Sequence, residues 1–587
     1  MQITSRLSRL AATAAIVGLT SGVLAAQVSR SPVADAAMAK DAARVRQLLK
    51  GGADAGASQG DGMTALHWAA MQGDGAMAEM LLVAGANPRA TTRIGGFTAL
   101  HLASQAGRAE AVPALIKAGA PVDATTATGA TALMLAAAAG NADIVAALAA
   151  AGADLNRTET AHGQTALMFA ASLGRTDAAK VLLARGADAM VRSRVVDLST
   201  VEVPEEVLQD QLRQQSSTPQ AQTARNEGAA APARPVAPAP APQSNRVAGV
   251  SRPFKYNELI GKHGGLTALH FAARQGAVET ARALVEAGAD VNGQTAGDLT
   301  SPMLIAMVNG HFDLALYFLE KGANPNLASD AGMTPLYAAL NVYWAPKAFY
   351  PQPRAYLQQQ ASYMDVMKAL LAKGADPNAR LQRKIWYTQY NFDLLRVDDS
   401  GATPFWRAAY ASDIDAMKLL VAAGADPTVP TAKPAMNDRF QQGGVRSADA
   451  SRDHSGLPAI PTAGPDIAPL LAASGAGYGE GFAGNAHRFA PSGMLAAVKY
   501  LIEELGTDPN VRDADGNTAL HHAASRGDNE MIKYLVSKGA DATLVNRGGQ
   551  TTVDMANGPV QRVQPFPETI KLLESLGAKN NHKCVSC

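Results

Sequence analysis

Cysteine is nearly missing from this chain. Two occur among 587 residues, and both, Cys584 and Cys587, fall in the last four positions. A disulfide framework is therefore excluded for everything before the tail, and a cysteine-free body suits an oxidising compartment. Aromatic residues are scarce at 5%, while alanine is abundant. An excess of charge is absent as well. Lys and Arg number 52 against 51 Asp and Glu, and no long basic run interrupts the balance. No global field then draws the chain to nucleic acid or to an anionic membrane. Long apolar runs are missing except near the start. Arg6 and Arg9 precede an apolar stretch, Leu10 to Leu19, and Val23-Leu24-Ala25 follows with small residues. That order is the pattern of a secretory signal over 1–25, and the run is short for a membrane span. No cysteine follows it, which argues against a lipid anchor. Cleavage leaves 50 basic against 51 acidic residues, so the mature chain stays near neutral.

What the chain does have is repetition. Thr-Ala-Leu-His occurs at Thr64–His67, Thr98–His101, Thr267–His270 and Thr518–His521. Variants begin at Thr131, Thr165, Ser301, Thr334 and Thr403. The starts at 64, 98, 131 and 165 are spaced by 34, 33 and 34 residues, and 267, 301 and 334 by 34 and 33. Residues 515–547 show the unit most clearly. Thr518 sits where a helix begins and can cap free backbone N–H groups. Leu520, Ala523 and Ala524 fall on one helical face; Ile532, Leu535 and Val536 give a second helix its own. Gly527 separates the two helices, and Gly539 supplies a left-handed stop. One such pair cannot bury both faces, but stacked copies can.

A period near 33 headed by this phrase resembles the ankyrin repeat family. The resemblance covers most of residues 33–577. It implies an all-α solenoid of about twelve helix-turn-helix units joined by β-hairpin-like connections. A first block spans 33–195, with its first unit degenerate. A linker at 196–262 contains a Pro/Ala tract, Ala229 to Pro242, and a short acidic helix candidate, Val203 to Gln215. A second block of about seven units spans 263–577, and the tail is 578–587. The second block carries insertions at 343–362, 381–399, 431–464 and 475–491. Those at 196–262, 381–399 and 431–464 replace hairpins between repeats. Those at 343–362 and 475–491 replace the turn inside a repeat. Each class is expected to share one edge of the stack, where long loops often gather for binding.

Residues 337–410 hold 14 of the 30 aromatics. Tyr343, Trp344, Phe349, Tyr350, Trp386, Tyr387, Tyr390, Phe392 and Tyr410 are candidates for gripping a protein partner, since Tyr and Trp anchor interfaces. The same cluster equally suits a local core that holds the inserted loops down. The family resemblance adds hairpin tips and the exposed end of the first helix: Met63, Phe97 and Arg274, with Met71, Gln72, Gln105, Gln164, Leu266, Gln275, Asn517, Ser525 and Arg526. It also makes His67, His101, His270 and His521 structural, bonding between units.

Other motifs carry less. Gly56–Gly60 fits G-x-S-x-G without a strand-to-helix setting, and Gly479–Gly484 fits G-x-G-x-x-G without a βαβ unit. Asn156-Arg157-Thr158 is a sequon. The tail Cys584-Val-Ser-Cys587 lacks the histidine that a c-type haem needs. It reads as a terminal disulfide or redox pair, a truncated haem motif, or a metal or attachment point. No catalytic constellation, cofactor or metal site is evident. The expectation is a monomeric protein–protein interaction scaffold, secreted or periplasmic in a bacterium. A redox accessory using Cys584 and Cys587, or a structural spacer, is the alternative.

Overall fold

Threonine opens most of the first helices, and the reason is local. Thr64 has an extended backbone (φ −98°, ψ 169°), and its hydroxyl accepts from the His67 N–H. The His67 Nδ1 in turn accepts from the Thr64 N–H at 3.1 Å and lies 2.8 Å from its hydroxyl. Two orphan donors of the helix start are satisfied at once. Thr98 with His101, Thr267 with His270 and Thr518 with His521 repeat the arrangement. The computed structural model describes residues 31–201, 254–345, 354–385, 397–435, 453–477, 488–558 and 564–584. The leader at 1–25, the acidic helix candidate, the Pro/Ala tract and the G-x-G-x-x-G stretch lie outside these residues.

In the unit at 515–547 the helices are Ala519–Ala524 and Asn529–Ser537. Leu520, Ala523, Ala524, Ile532 and Leu535 are fully buried. Gly539 ends the unit at φ 91°, a conformation that a side chain would strain.

Contacts divide the chain into two compact units, 1–193 with 279–289, and 194–278 with 290–587. In the former, first helices stack in sequence: Pro32–Met38, Ala65–Gln72, Ala99–Gln105, Ala132–Ala139 and Ala166–Ser172. In the latter, Ala268–Gln275 begins a row continued by Pro302–Val308, Pro335–Tyr343, Pro404–Tyr410, Pro469–Ala473, Ala519–Ala524 and Thr552–Ala556. The alanine-rich faces let these helices approach closely. Each helix buries its face on its neighbours, which is how a solenoid holds itself together.

A second set of links runs through asparagines that close the repeats. Asn292 Nδ2 donates to Gly322 O at 3.1 Å, and its Oδ1 accepts from Asn324 N at 2.7 Å. Asn326, Asn378 and Asn510 do the same to the following repeat. Asn156, the sequon residue, accepts from Asp188 N at 2.8 Å in the same manner.

The described residues show the flanks of several insertions. Val195–Asp197 pairs antiparallel with Lys262–Gly264, so the two ends of the 196–262 excursion meet in a short ribbon. The 343–362 insertion separates helix Pro335–Tyr343 from Tyr363–Ala372 and includes a 3₁₀ turn, Ala355–Gln358. The split unit is Pro469–Ala473 and Met494–Lys499, the latter widening into a π turn over Tyr500–Glu504. Among the described residues, no helix is long and apolar enough to cross a membrane.

Candidate protein-binding surface

The motif histidines point away from any surface. His67 and His101 are 1% exposed. Because Nδ1 accepts within the cap, the proton sits on Nε2, the tautomer that this network requires. His67 Nε2 donates to Ala90 O and Phe97 O, both at 3.1 Å, and His101 Nε2 to Ala124 O at 2.9 Å. Each ring therefore bonds its own repeat to the hairpin of the next. Burial holds both rings below the usual imidazole value, against the pull of those carbonyls.

Trp406 shows the same link made by different chemistry. It stands at the histidine position of the Thr403 repeat, and its Nε1 donates to Ile467 O at 2.8 Å. Ile467 precedes the next first helix as Phe97 does. Tyr337, also at a histidine position, reaches Asp399 Oδ2 at 3.5 Å. The variants at these positions are larger rings that bridge inserted segments.

Among the described residues, the aromatic cluster is largely a local core. Trp344, Tyr356 and Tyr410 are 7%, 9% and 8% exposed. Tyr343 is half-buried and stacks on Tyr363 at 4.0 Å between centroids, with Trp344 edge-on at 4.9 Å. Tyr356 lies over Phe312 at 6.2 Å. Burial puts Trp344 and Tyr410 in packing and not on a partner-facing surface. Phe349, Tyr350, Trp386, Tyr387, Tyr390 and Phe392 lie outside the described residues.

At the heart of this core is a charge. Arg407 is 3% exposed; its Nε donates to Asn341 Oδ1 at 2.7 Å and its Nη2 to Trp344 O at 2.8 Å. Asp413 Oδ2 accepts from Trp344 Nε1 at 2.8 Å and from Tyr363 OH at 2.7 Å. Burial lowers the Arg407 value, opposed by the negative fields of Asp399 and Asp413 among others. Burial first, and then Asp413, raises the Tyr363 phenol.

The tips and first-helix ends divide. Arg274, Gln275 and Gln105 are exposed, and Phe97, Leu266, Gln164, Met71 and Gln72 are half-buried. Three of the expected surface residues are instead buried: Met63 at 8%, Asn517 at 5% and Ser525 at 1%. Asn517 is held by Asp513 and Asn546, which explains why it cannot serve as a contact. Arg526 is half-buried and tied to Ser474 O at 2.6 Å and Asp528 at 3.1 Å. The open part of the tip surface is clearest at 92–97. Thr92 N–H bonds to Phe97 O at 2.9 Å, closing a turn that leaves Ile94 70% exposed.

A family model described as "Ankyrin repeats (3 copies)" matches residues 33–126, 115–193, 269–343 and 486–584, and a single "Ankyrin repeat" matches 400–432. The chain belongs to the ankyrin repeat family. It is similar to an ankyrin repeat protein of Acanthamoeba polyphaga mimivirus, 39% identical over 57 residues, or 10% of this chain and 14% of that one. It is 41% identical over 71 residues to mouse protein phosphatase 1 regulatory subunit 12A, covering 12% of this chain and 7% of the subunit. The E3 ubiquitin-protein ligase KEG of Arabidopsis thaliana is 26% identical over 326 residues, 50% of this chain and 18% of the ligase. The chain spans under a fifth of the length of these relatives. Ankyrin repeats generally mediate protein–protein interaction, and proteins built from them are generally non-enzymatic binding scaffolds.

Two features escaped the sequence reading. The asparagine links recur as Gly-Ala-Asp/Asn-x-Asn, with Thr507 in place of the alanine before Asn510, a pattern that was visible without its role. Asp466 is half-buried beside Asp398, Asp513 and Asp515, and its carboxyl is pushed up to about 7 by burial first and by those neighbours next, against a bond from Ala514 N–H. At the tail, Cys584 is disulfide-bonded, and Cys587, the chain's other cysteine, lies outside the described residues.

Proposed function

We propose that this ankyrin repeat protein is a protein-binding scaffold of the bacterial envelope, grasping one defined partner through open hairpin tips and first-helix ends. The single observation that carries the reading is the tip at 92–97. There an isoleucine 70% exposed on a hydrogen-bonded turn stands beside exposed Arg93, which offers an apolar and a cationic group together for contact. Exposed Arg274, whose guanidinium lies 5.0 Å over the Phe271 ring, adds a cationic element. The basic–apolar–small pattern at 1–25 supports export, as does a repeat array without cysteine. Trp386 and Tyr390 extend the proposal into the aromatic insertion.

An affinity pull-down from envelope extract is expected to recover one stoichiometric partner. Ile94→Asp combined with Arg274→Glu is expected to abolish recovery, with helical circular dichroism unchanged. Retention of the partner by that variant would remove the tips from the reading. Absence of any enriched partner would favour the spacer. The redox alternative rests on the disulfide at Cys584. It predicts that Cys584→Ser with Cys587→Ser removes function and leaves partner binding intact.

A further inference from the structure

Two arginines occupy the same place in two different repeats. Arg93 N donates to Asp61 O at 2.8 Å, and its Nε to Gly60 O at 2.9 Å. Arg547 N donates to Asp515 O at 2.8 Å, and its Nε to Ala514 O at 2.8 Å. Both guanidinium groups thus stand on a hairpin tip, anchored through Nε with the outer nitrogens turned outward. Arg93 is exposed, whereas the Arg547 side chain is 17% exposed. What covers Arg547 is the chain's own segment from the 431–464 insertion. Its Nη1 pairs with Asp453 Oδ2 and lies 3.3 Å from Leu457 O, and its Nη2 donates to Pro458 O at 2.6 Å.

The segment lies on the tips as a bound peptide with a turn at Ser455 and Gly456 (φ 68°). His454 N–H bonds to Arg547 O at 3.0 Å. A Cβ on Gly549 would come 3.1 Å from the His454 ring, and one on Gly516 would come 3.4 Å from Leu457. Both glycines have a left-handed backbone, φ 83° at Gly516 and 77° at Gly549, as the tips of other repeats do, and the segment passes over them. Asp453 is held in shape by Ser455, whose N–H and hydroxyl it accepts at 2.9 and 2.6 Å. One guanidinium reads a carboxylate and two carbonyls four and five residues later, a main-chain and charge pattern that another peptide could supply.

We propose that the tip ridge at Arg547 is a peptide-binding site, and that residues 453–458 fill it as a ligand in cis. The ligand class is a turn-containing segment with an aspartate followed four residues later by Leu-Pro. In this chain the segment already occupies the Arg547 tip, whereas Arg93, on the other compact unit, is exposed, so a partner with such a segment must displace it at Arg547. This deepens the scaffold reading, on which it rests, by adding a self-occupied site to the open tips.

The test uses the full chain and an acetylated, amidated, fluorescent peptide of residues 453–460. Asp453→Ala with Leu457→Gly releases the segment. The peptide is expected to bind this variant at least tenfold more tightly than it binds the unmodified chain. Adding Arg547→Ala is expected to abolish binding. Equal affinity for the released and unmodified chains, no binding to either, or binding that survives Arg547→Ala would overturn the proposal. Hydrogen exchange supplies a measurement that does not depend on the released variant folding. Arg547→Gln is expected to speed exchange of the His454 amide at least tenfold; an unchanged rate would overturn the proposal equally. A partner whose capture ignores the segment would sink this inference and leave the scaffold standing. Peptide binding without any recovered partner would do the reverse.

Discussion

Several buried side chains shape the acid response of the repeats, and His521 and Asp466 act with opposite sign. His521 is fully buried, and burial first, then the nearby His522, lowers its value to about 4. The unfolded chain takes up that proton near 6.5. Between those limits the unfolded state binds more protons, so stability falls as pH falls from 6.5 towards 4. The loss attributable to this ring is roughly 3 kcal/mol across the window. Comparison of urea midpoints of the natural chain and His521→Gln over that range checks it; a parallel pair of curves would contradict the assignment. Asp466 works the other way. Its carboxyl titrates near 7 when folded and near 3.8 when unfolded, so the folded state holds the extra proton and loses stability as pH rises through 7. Asp466→Asn keeps an acceptor for Ala514 N–H and removes the charge. The variant is expected to gain roughly 4 kcal/mol at pH 8 and nothing at pH 3, by the same midpoint measurement.

At the scale of the helix, the first helix Pro404–Tyr410 shows how one element departs from its copies. Counting four residues on from the opening threonine gives Leu102 and Phe271 in two repeats and Arg407 here. A charged group has entered an apolar row, and Asn341, Trp344 O, Asp399 and Asp413 answer it. Arg407→Met keeps much of the volume but leaves buried Asn341 Oδ1 and Trp344 O without their donors. We expect a loss of about 1–3 kcal/mol, read as a lowered thermal midpoint. An unchanged midpoint would mean that these two hydrogen bonds hold nothing in place. The helix pairs themselves were legible in the sequence, because the threonine cap, the 33-residue period and the closing glycine each leave a local mark. The insertions were legible as breaks in that period. The fate of the aromatics was not. Trp406 occupies a motif position and is buried by register, and Trp344 ends a helix and is buried by a loop arriving from Tyr356 and Tyr363. Both outcomes depend on contacts far along the chain, which composition does not record. The misplacement of Met63, Asn517 and Ser525 has a similar cause: neighbours on the next hairpin or helix decide whether a tip residue points out.

At the scale of the whole molecule, simple solenoids melt repeat by repeat, since each unit leans only on its neighbours. The unit spanning 194–278 and 290–587 has added ties that skip a repeat. Arg488 Nη1 donates to Tyr356 OH at 3.0 Å, joining the 475–491 insertion to the 343–362 insertion across the Thr403 repeat. Arg488 also lies 5.9 Å over the Tyr343 ring. Between these anchor points, Ala490 N–H bonds to Ala411 O at 2.8 Å. The described ends of the two inserted turns thus meet over the Thr403 repeat. A second tie, Arg547 with residues 453–458, lies at hairpin tips. Such ties couple repeats that would otherwise open independently, and they raise the free energy of local opening towards the global value. Arg488→Ala removes the hydrogen bond and the ring contact but touches no helix core. Native-state hydrogen exchange is expected to show faster exchange at Ala490 and in helix Pro404–Tyr410, while Ala519–Ala524, further along the stack, keeps its rate. Uniform acceleration of both helices would mean that stability there is already global and that the tie adds no coupling of its own.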